Sequence, residues 1–144
     1  MENKSLGPIK FFCGLACFYH VGEGIIATIG GELVAKIAAF GYGLSLARLT
    51  PMTPQLTVLF RFIGAFCLAF GVAMGFAAIN PVKNKAIIYS GIVFFAVRAF
   101  DRIVFANVLR EAFDVSAGRN LISLVIVFTM LFGLLIFRPK ETSS

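Results

Sequence analysis

Long apolar runs, separated by short polar or proline-containing segments, dominate this chain. The runs predict four membrane-crossing helices, at about 9–29, 55–79, 86–109 and 119–137. Each run is close to the roughly 20 apolar residues that a helix needs to cross a bilayer core. The pattern therefore predicts an all-α membrane protein, a four-transmembrane-helix bundle that forms one integral membrane domain over residues 1–144.

The stretch between the first two predicted helices is less apolar. Residues 33–49 follow Gly30-Gly31, precede two prolines, and contain Lys36, Arg48 and internal glycines. These features are unfavourable for a fifth span. We therefore expect an interfacial or re-entrant helix over residues 33–49.

Composition also indicates a membrane location. The chain is 59% hydrophobic and 14% charged, with a mean hydropathy of +0.92, whereas soluble domains are about 25% charged. The formal net charge of +6 comes mostly from basic residues that flank the apolar runs. Such residues set topology and meet anionic headgroups. We therefore expect the lipid bilayer, and not nucleic acid, as the partner.

The basic residues predict an orientation as well. If the arginines inside helices are not counted, six basic residues lie on the side of the membrane that contains the chain termini, and five lie on the other side. The short turn with Lys83 and Lys85 weighs most, because cytoplasmic loops are enriched in Lys and Arg. Both termini are therefore expected in the cytoplasm. The first run lacks a small-residue cleavage site after it, so we expect this helix to be retained.

Two arginines lie inside apolar runs. A charged side chain within a membrane helix costs roughly 2.5–3.5 kcal/mol, so it normally faces protein, water or a partner charge. At a rise of about 1.5 Å per residue, several polar residues fall at a similar depth. The predicted polar layer contains Glu23, Arg61, Arg98, Asp101, Arg102 and Asn120.

This layer has two interpretations. It could be an internal ion-pair network that holds the helices in register, with Asp101 or Glu23 as the partner of Arg98. It could instead be a pocket for an anionic or polar headgroup, such as a quinone, a lipid or a small acid. The first interpretation is favoured, because buried charges in membrane helices pair with one another.

Cys13, Cys17 and His20 form a second pattern, a stripe on the first helix with spacings of four and three residues. Thiolates and imidazoles are metal ligands, but three ligands on one helix rarely close a coordination sphere. Cys is also an ordinary buried hydrophobe, so core packing is favoured over thiol redox or metal binding. His20 is the only histidine and could supply one axial haem ligand within a complex. No cofactor is expected, and quinone or lipid remain candidate ligands.

The spacing Arg61-x2-Gly64, followed by Gly71, a short basic turn and Ala96-Val97-Arg98, resembles the small DoxX-like membrane proteins over roughly residues 60–137. The resemblance implies a four-helix bundle in the bacterial inner membrane. Some DoxX-like proteins are linked to quinone or thiol redox chemistry as accessory subunits. Several carry an acidic residue that opens the last helix, where this chain has a basic residue and an amide.

The sequence favours a protein without its own catalytic site. G-x-S-x-G, a phosphate loop and H-E-x-x-H are all missing,. We therefore expect a non-catalytic accessory or structural subunit of a larger membrane complex, in contact with other membrane subunits or with copies of itself. The alternative is a DoxX-like protein that handles quinones or thiols, or binds lipid or a small anion, through the Arg/acid layer. A transporter is a weaker third hypothesis, since no inverted repeat is visible.

Overall fold

The computed structural model describes residues 6–30, 32–42, 45 and 53–139. This part of the chain is helical and contains no β-strand, which confirms the all-α class. Its helices are α1 (Gly7–Ile29), α2 (Glu32–Tyr42), α3 (Pro54–Ile79), α4 (Lys85–Val104), α5 (Ala106–Phe113) and α6 (Ala117–Phe137).

Among the described residues, the three helices α1, α3 and α6 are long and apolar enough to cross a membrane. These helices indicate a membrane protein. Helix α4 has 20 residues, but Arg98, Asp101 and Arg102 lie in its C-terminal half and reduce its hydropathy. It corresponds to the remaining predicted span.

Two predicted segments differ from the helices that the structure contains. The predicted helix 86–109 is divided at Phe105, whose φ of −98° and ψ of 19° lie outside the helical range, into α4 and α5. Helix α2 covers the first part of the segment 33–49, which was expected to be interfacial or re-entrant. Apart from Ser45, the remainder of that segment lies outside the described residues.

Local polar groups explain where the long helices begin and end. The Thr53 hydroxyl accepts a hydrogen bond from the Leu56 amide at 3.2 Å, which caps α3 at its first turn,. The Ser116 hydroxyl accepts from the Arg119 amide at 3.3 Å and caps α6 in the same way. Pro81 follows the last residue of α3 after Asn80 and prevents the helix from continuing,.

The four long helices contact one another in a closed ring: α1 with α3, α3 with α4, α4 with α6, and α6 with α1. Neighbours run in opposite directions. Phe12 near the start of α1 stacks on Phe137 at the end of α6, with ring centroids 6.0 Å apart. We call the end where α1 begins and α6 finishes the lysine end. The opposite end, where α1 finishes and α3 begins, is called the arginine end.

The closest helix pair is α1 with α3, because glycines replace side chains at the crossing. A Cβ atom on Gly24 would lie 2.6 Å from the Leu68 amide nitrogen and 2.8 Å from the Gly64 carbonyl oxygen. A Cβ atom on Gly71 would lie 2.7 Å from the Val21 amide nitrogen. Small residues allow this approach of two backbones, which is how membrane helices associate without a hydrophobic driving force.

The interior and the surface are both apolar. Ile9, Cys13, Met74, Ile88 and Leu134 belong to the buried core between the helices. Thirty-three large hydrophobic side chains of the described residues are exposed, several of them more than half. A soluble monomer rarely exposes a contiguous apolar surface of this kind. The exposed surface therefore matches the hydrocarbon of a bilayer.

Candidate functional site, a polar cluster inside the helix bundle

His20 lies at the centre of the bundle and is only 1% exposed. Its Nδ1–H donates a hydrogen bond to the Ala16 carbonyl oxygen, one turn earlier on α1, at 2.9 Å. In a neutral imidazole the other ring nitrogen is then an acceptor. This atom, Nε2, is buried and has no hydrogen-bond partner among the residues that the structure describes.

Aromatic rings surround the imidazole on several sides. Phe70 of α3 and Phe94 of α4 lie with ring centroids 4.9 and 5.3 Å from that of His20. These two phenylalanines stack on each other at 4.3 Å, and Phe95 and Tyr19 complete the surroundings at 5.9 and 5.1 Å. The rings hold the imidazole in place, but they offer no hydrogen to Nε2.

Glu23 lies on the next turn of α1 and faces α3. The Cys67 thiol donates a weak hydrogen bond to Glu23 Oε2, with 3.8 Å between sulfur and oxygen. The Tyr19 hydroxyl interacts with the same carboxyl group from one turn earlier on α1. The second carboxyl oxygen, Oε1, is buried and has no hydrogen-bond partner in the described part of the chain.

Arg98 is a residue of α4 that lies near these side chains of α1 and α3. Its guanidinium carbon lies 5.6 Å from the centroid of the Phe94 ring, which is a cation–π distance,. Tyr19, His20 and Cys67 each interact electrostatically with both Arg98 and Glu23. The guanidinium and the carboxyl group therefore act on the same three side chains.

We call this group the polar cluster: Tyr19, His20, Glu23, Cys67 and Arg98. Helices α1, α3 and α4 each contribute to it, and its members can donate, accept or exchange protons. Buried polar atoms are almost always hydrogen-bonded in folded proteins, so each exception needs an explanation. Here two such acceptors, His20 Nε2 and Glu23 Oε1, lie one turn apart on the same helix.

The structure divides the predicted polar layer. Glu23 and Arg98 both act on Tyr19, His20 and Cys67 in the polar cluster. The Asp101 side chain, in contrast, is exposed. Arg61 of α3 is exposed as well and lies beside the C-terminal end of α1. Its Nε atom would be 3.6 Å from a Cβ atom added to Gly30. A cation at this position interacts favourably with the C-terminal end of a helix.

Arg102 and Asn120 form a separate pair that joins α4 to α6. The Arg102 guanidinium donates to Asn120 Oδ1 at 3.3 Å, and Asn120 Nδ2 donates to the Arg102 carbonyl oxygen at 3.1 Å. The amide therefore has both its donor and its acceptor engaged with one residue. This pair stabilises the contact between the two helices near the arginine end.

The residues of the predicted cysteine and histidine stripe lie in different surroundings along α1. Cys13 is fully buried in the hydrophobic core. Cys17 faces α3, with its sulfur 3.1 Å from the position of a Cβ atom on Gly75. All three cysteines are free thiols. Within the described part of the chain, no group of three His, Cys, Asp or Glu side chains is placed to hold a metal ion.

Sequence reasoning missed two members of the polar cluster. Tyr19 and Cys67 lie in apolar runs and are ordinary residues of membrane helices. For Tyr19 a signal was present, because it precedes Glu23 by four residues and shares its helix face. Nothing in the sequence indicates that Cys67 faces the same carboxyl group, since that contact depends on how α3 rotates against α1.

Comparison of the chain with protein-family models, with curated proteins and with solved structures finds no match.

Proposed function

We propose that this chain is a small ligand-handling protein of the bacterial inner membrane, similar to DoxX-like proteins, whose polar cluster binds a headgroup of the quinol class. The observation that carries the proposal is a pair of buried acceptors, His20 Nε2 and Glu23 Oε1, that have no hydrogen-bond partner within residues 6–30, 32–42, 45 and 53–139. A buried acceptor left unsatisfied costs about 1–3 kcal/mol. A ligand that donates hydrogen bonds removes this cost, so the polar cluster favours a donor over an acceptor.

The chemistry of a quinol meets these requirements. Its two hydroxyl groups donate hydrogen bonds to an imidazole nitrogen and to a carboxylate, and its ring is apolar and planar. The rings of Phe70 and Phe94 beside His20 provide an apolar, aromatic wall for such a ring,. The oxidised quinone lacks the hydroxyl hydrogens, so the proposed site prefers the reduced form.

The polar cluster is close to the lipid-facing surface of the bundle. Tyr19 is 43% exposed, and Glu23 and Arg98 are half-buried. In the proposed mode of binding, the headgroup enters sideways from the bilayer and displaces the Tyr19 side chain. The ligand tail remains in the hydrocarbon core, where a quinol is already dissolved.

The proposal includes a membrane arrangement in which α4 is the fourth span. Arg98 then shares the polar cluster with Glu23 and lies over the Phe94 ring, which reduces the cost of a cation within the bilayer. Lys10, Lys83, Lys85 and Arg138 lie at the lysine end. We place this end and both termini in the cytoplasm, following the enrichment of basic residues on that side.

A binding measurement with a short-tailed quinol tests the proposal. We expect purified protein in lipid nanodiscs to bind decylubiquinol, and to bind decylubiquinone more weakly. Replacing Glu23 with Gln keeps the shape but removes a charged acceptor, so the affinity for the quinol should fall about tenfold. Arg61→Gln is the matched control, because this exposed residue lies outside the polar cluster, and its affinity should stay unchanged.

Two results would contradict the proposal. One is an absence of saturable quinol binding to the parent protein under conditions in which it stays folded. The other is equal affinity in the Glu23→Gln variant and the parent, which would mean that the ligand binds elsewhere on the bundle.

A second candidate function is that of an accessory subunit without a ligand of its own. Helix α3 exposes Ala65 and Ala69 beside Phe62 and Phe66. Small residues next to aromatic rings allow another membrane helix to approach closely. Purification in mild detergent separates the two functions. A larger complex of fixed stoichiometry supports the accessory subunit, whereas a monomer or homo-oligomer that retains quinol supports the ligand-handling protein.

A further inference from the structure

A cavity of about 300 Å³ lies at the arginine end of the bundle, between α5 and the first turns of α6. The polar part of its lining consists of Asn107 and Arg110 of α5 and Asn120 of α6. The apolar part includes Val115, Leu121 and Leu124. None of these residues belongs to the polar cluster, so the cavity is a separate site.

Helix α5 lies at the edge of the bundle and contributes part of the cavity lining. The helix is short and amphipathic, and none of its side chains is buried. It begins directly after α4 ends at Phe105, and Asp114, in the left-handed conformation with φ of 57°, ends it. A helix of this kind lies along a membrane surface with its apolar side towards the acyl chains. Val108, which is 55% exposed, is suited to that position.

The electrostatics of the cavity favour an anion. Arg110 is the charged residue of its lining, and no acidic side chain lines it among the described residues. Arg102 adds a second positive charge next to the cavity, through its hydrogen bond to Asn120. The exposed Glu111 and Asp114 belong to α5 and to its end, but they do not line the cavity.

The apolar part of the lining continues outward towards lipid. Leu121 lines the cavity and is nevertheless 62% exposed. Leu124 lies one turn further along α6 towards the centre of the bundle. A ligand with a charged head and an apolar tail therefore finds a cation at the surface and leucines below it.

We propose that this cavity binds an anionic phospholipid, with the phosphate of the headgroup on Arg110 and Asn107 and an acyl chain along Leu121 and Leu124. The phospholipid is a structural ligand of the arginine end and is distinct from the quinol-class ligand. The volume is at the lower limit of about 300–1,000 Å³ for small-molecule sites, which suits a headgroup whose chains remain in the bilayer.

Native mass spectrometry of the delipidated protein, titrated with phosphatidylglycerol or phosphatidylcholine, tests this proposal. We expect phosphatidylglycerol to bind more tightly than the zwitterionic lipid. One basic residue near an anionic lipid contributes about a fivefold change in affinity, so Arg110→Gln should weaken phosphatidylglycerol binding about fivefold. Arg110 is exposed, so this change should leave the unfolding temperature of the protein unaltered.

Two further variants show whether the cavity itself is responsible. Arg138→Gln removes one positive charge at the lysine end, where this guanidinium lies 5.9 Å from the Tyr89 ring centroid, and it should leave the affinity unchanged. Ala117→Leu places a larger side chain in the cavity lining at an exposed position. It should weaken phosphatidylglycerol binding without a change of charge.

Several outcomes would overturn the proposal. Equal losses for Arg110→Gln and Arg138→Gln would mean that the lipid responds to net charge alone. Equal affinity for the two lipids would mean that the cavity does not select a headgroup of net negative charge, which contradicts the proposal. Unchanged binding in the Ala117→Leu variant would show that the lipid does not enter this cavity. Because none of these variants changes the polar cluster, quinol binding serves as an independent measurement on the same samples.

Discussion

Replacing Gly24 with Ala should destabilise the protein, because the two helix backbones at this crossing leave no room for a methyl group. The added Cβ atom would lie 2.6 Å from the Leu68 amide nitrogen and 2.9 Å from the Leu68 Cα atom. Ordinary contacts begin at 3.4 Å, so α1 and α3 would have to separate by about 0.8 Å. The atoms that collide belong to the backbone of a helix, which cannot rotate away.

The size of the effect follows from a comparison with Gly22→Ala on the same helix. A Cβ atom on Gly22 meets no atom of the described residues within 4 Å. Both substitutions gain about 1 kcal/mol of helix propensity, and this gain cancels in the comparison. What remains is the cost of overpacking, typically about 1–3 kcal/mol. The free energy of unfolding of Gly24→Ala should therefore be lower than that of Gly22→Ala by about that amount.

Unfolding in mixed detergent micelles, followed by far-ultraviolet circular dichroism during titration with dodecyl sulfate, measures this difference. Gly71→Ala should behave like Gly24→Ala, because its Cβ atom would lie 2.7 Å from the Val21 amide nitrogen. If Gly24→Ala and Gly22→Ala are equally stable, α1 and α3 are not in backbone contact, and the argument for a glycine-dependent crossing fails.

Three further predictions concern the thiols, the buried charges and the topology. Replacing all three cysteines with Ala should leave the amount of folded protein in the membrane near normal, and a marked loss would mean that a thiol is essential. Arg98→Ala should destabilise the protein by up to about 3 kcal/mol, and Glu23→Gln should recover part of the loss in detergent unfolding, whereas the exposed Asp101→Asn should not. Reporter fusions at Lys85 and Ser144 should both read as cytoplasmic, and a periplasmic reading at Ser144 alone would require an odd number of spans.

The sequence pattern predicted the bounds of those helices whose ends carry local sequence signals. The predicted runs 9–29, 55–79 and 119–137 agree with α1, α3 and α6 to within two residues at each end. Prolines and capping side chains mark several of these ends, and such signals are local. The division between α4 and α5 was missed because Phe105 is neither glycine nor proline. The Phe105 amide and carbonyl keep their hydrogen bonds to Asp101 and Leu109, so the break is a local change of backbone angles that no residue type marks.

The sequence predicted the depth of the site residues along the helices, but it did not predict towards which neighbour each side chain points. Counting the rise along each helix placed Glu23, Arg61 and Arg98 at similar heights, yet Arg61 is exposed at the end of α1. Height follows from the position in the chain, whereas direction depends on how each helix rotates about its own axis against its neighbours. Between α1 and α3, the glycine contacts restrict this rotation. The resulting orientation of α3 places Cys67 next to Glu23.

The α1–α3 contact has a consequence for the order of events during synthesis. Helix α1 ends about 50 residues before α3 is complete, which at 5–20 residues per second corresponds to roughly 3–10 seconds. During this time α1 has no glycine-lined partner, and Glu23 has neither Cys67 nor Arg98 beside it. The hydrogen bond from His20 to Ala16 lies within α1 and is available throughout. We expect α1 to stay beside the insertion machinery until α3 emerges, so substitutions in the α3 glycines should expose α1 to membrane proteases before they affect the finished bundle.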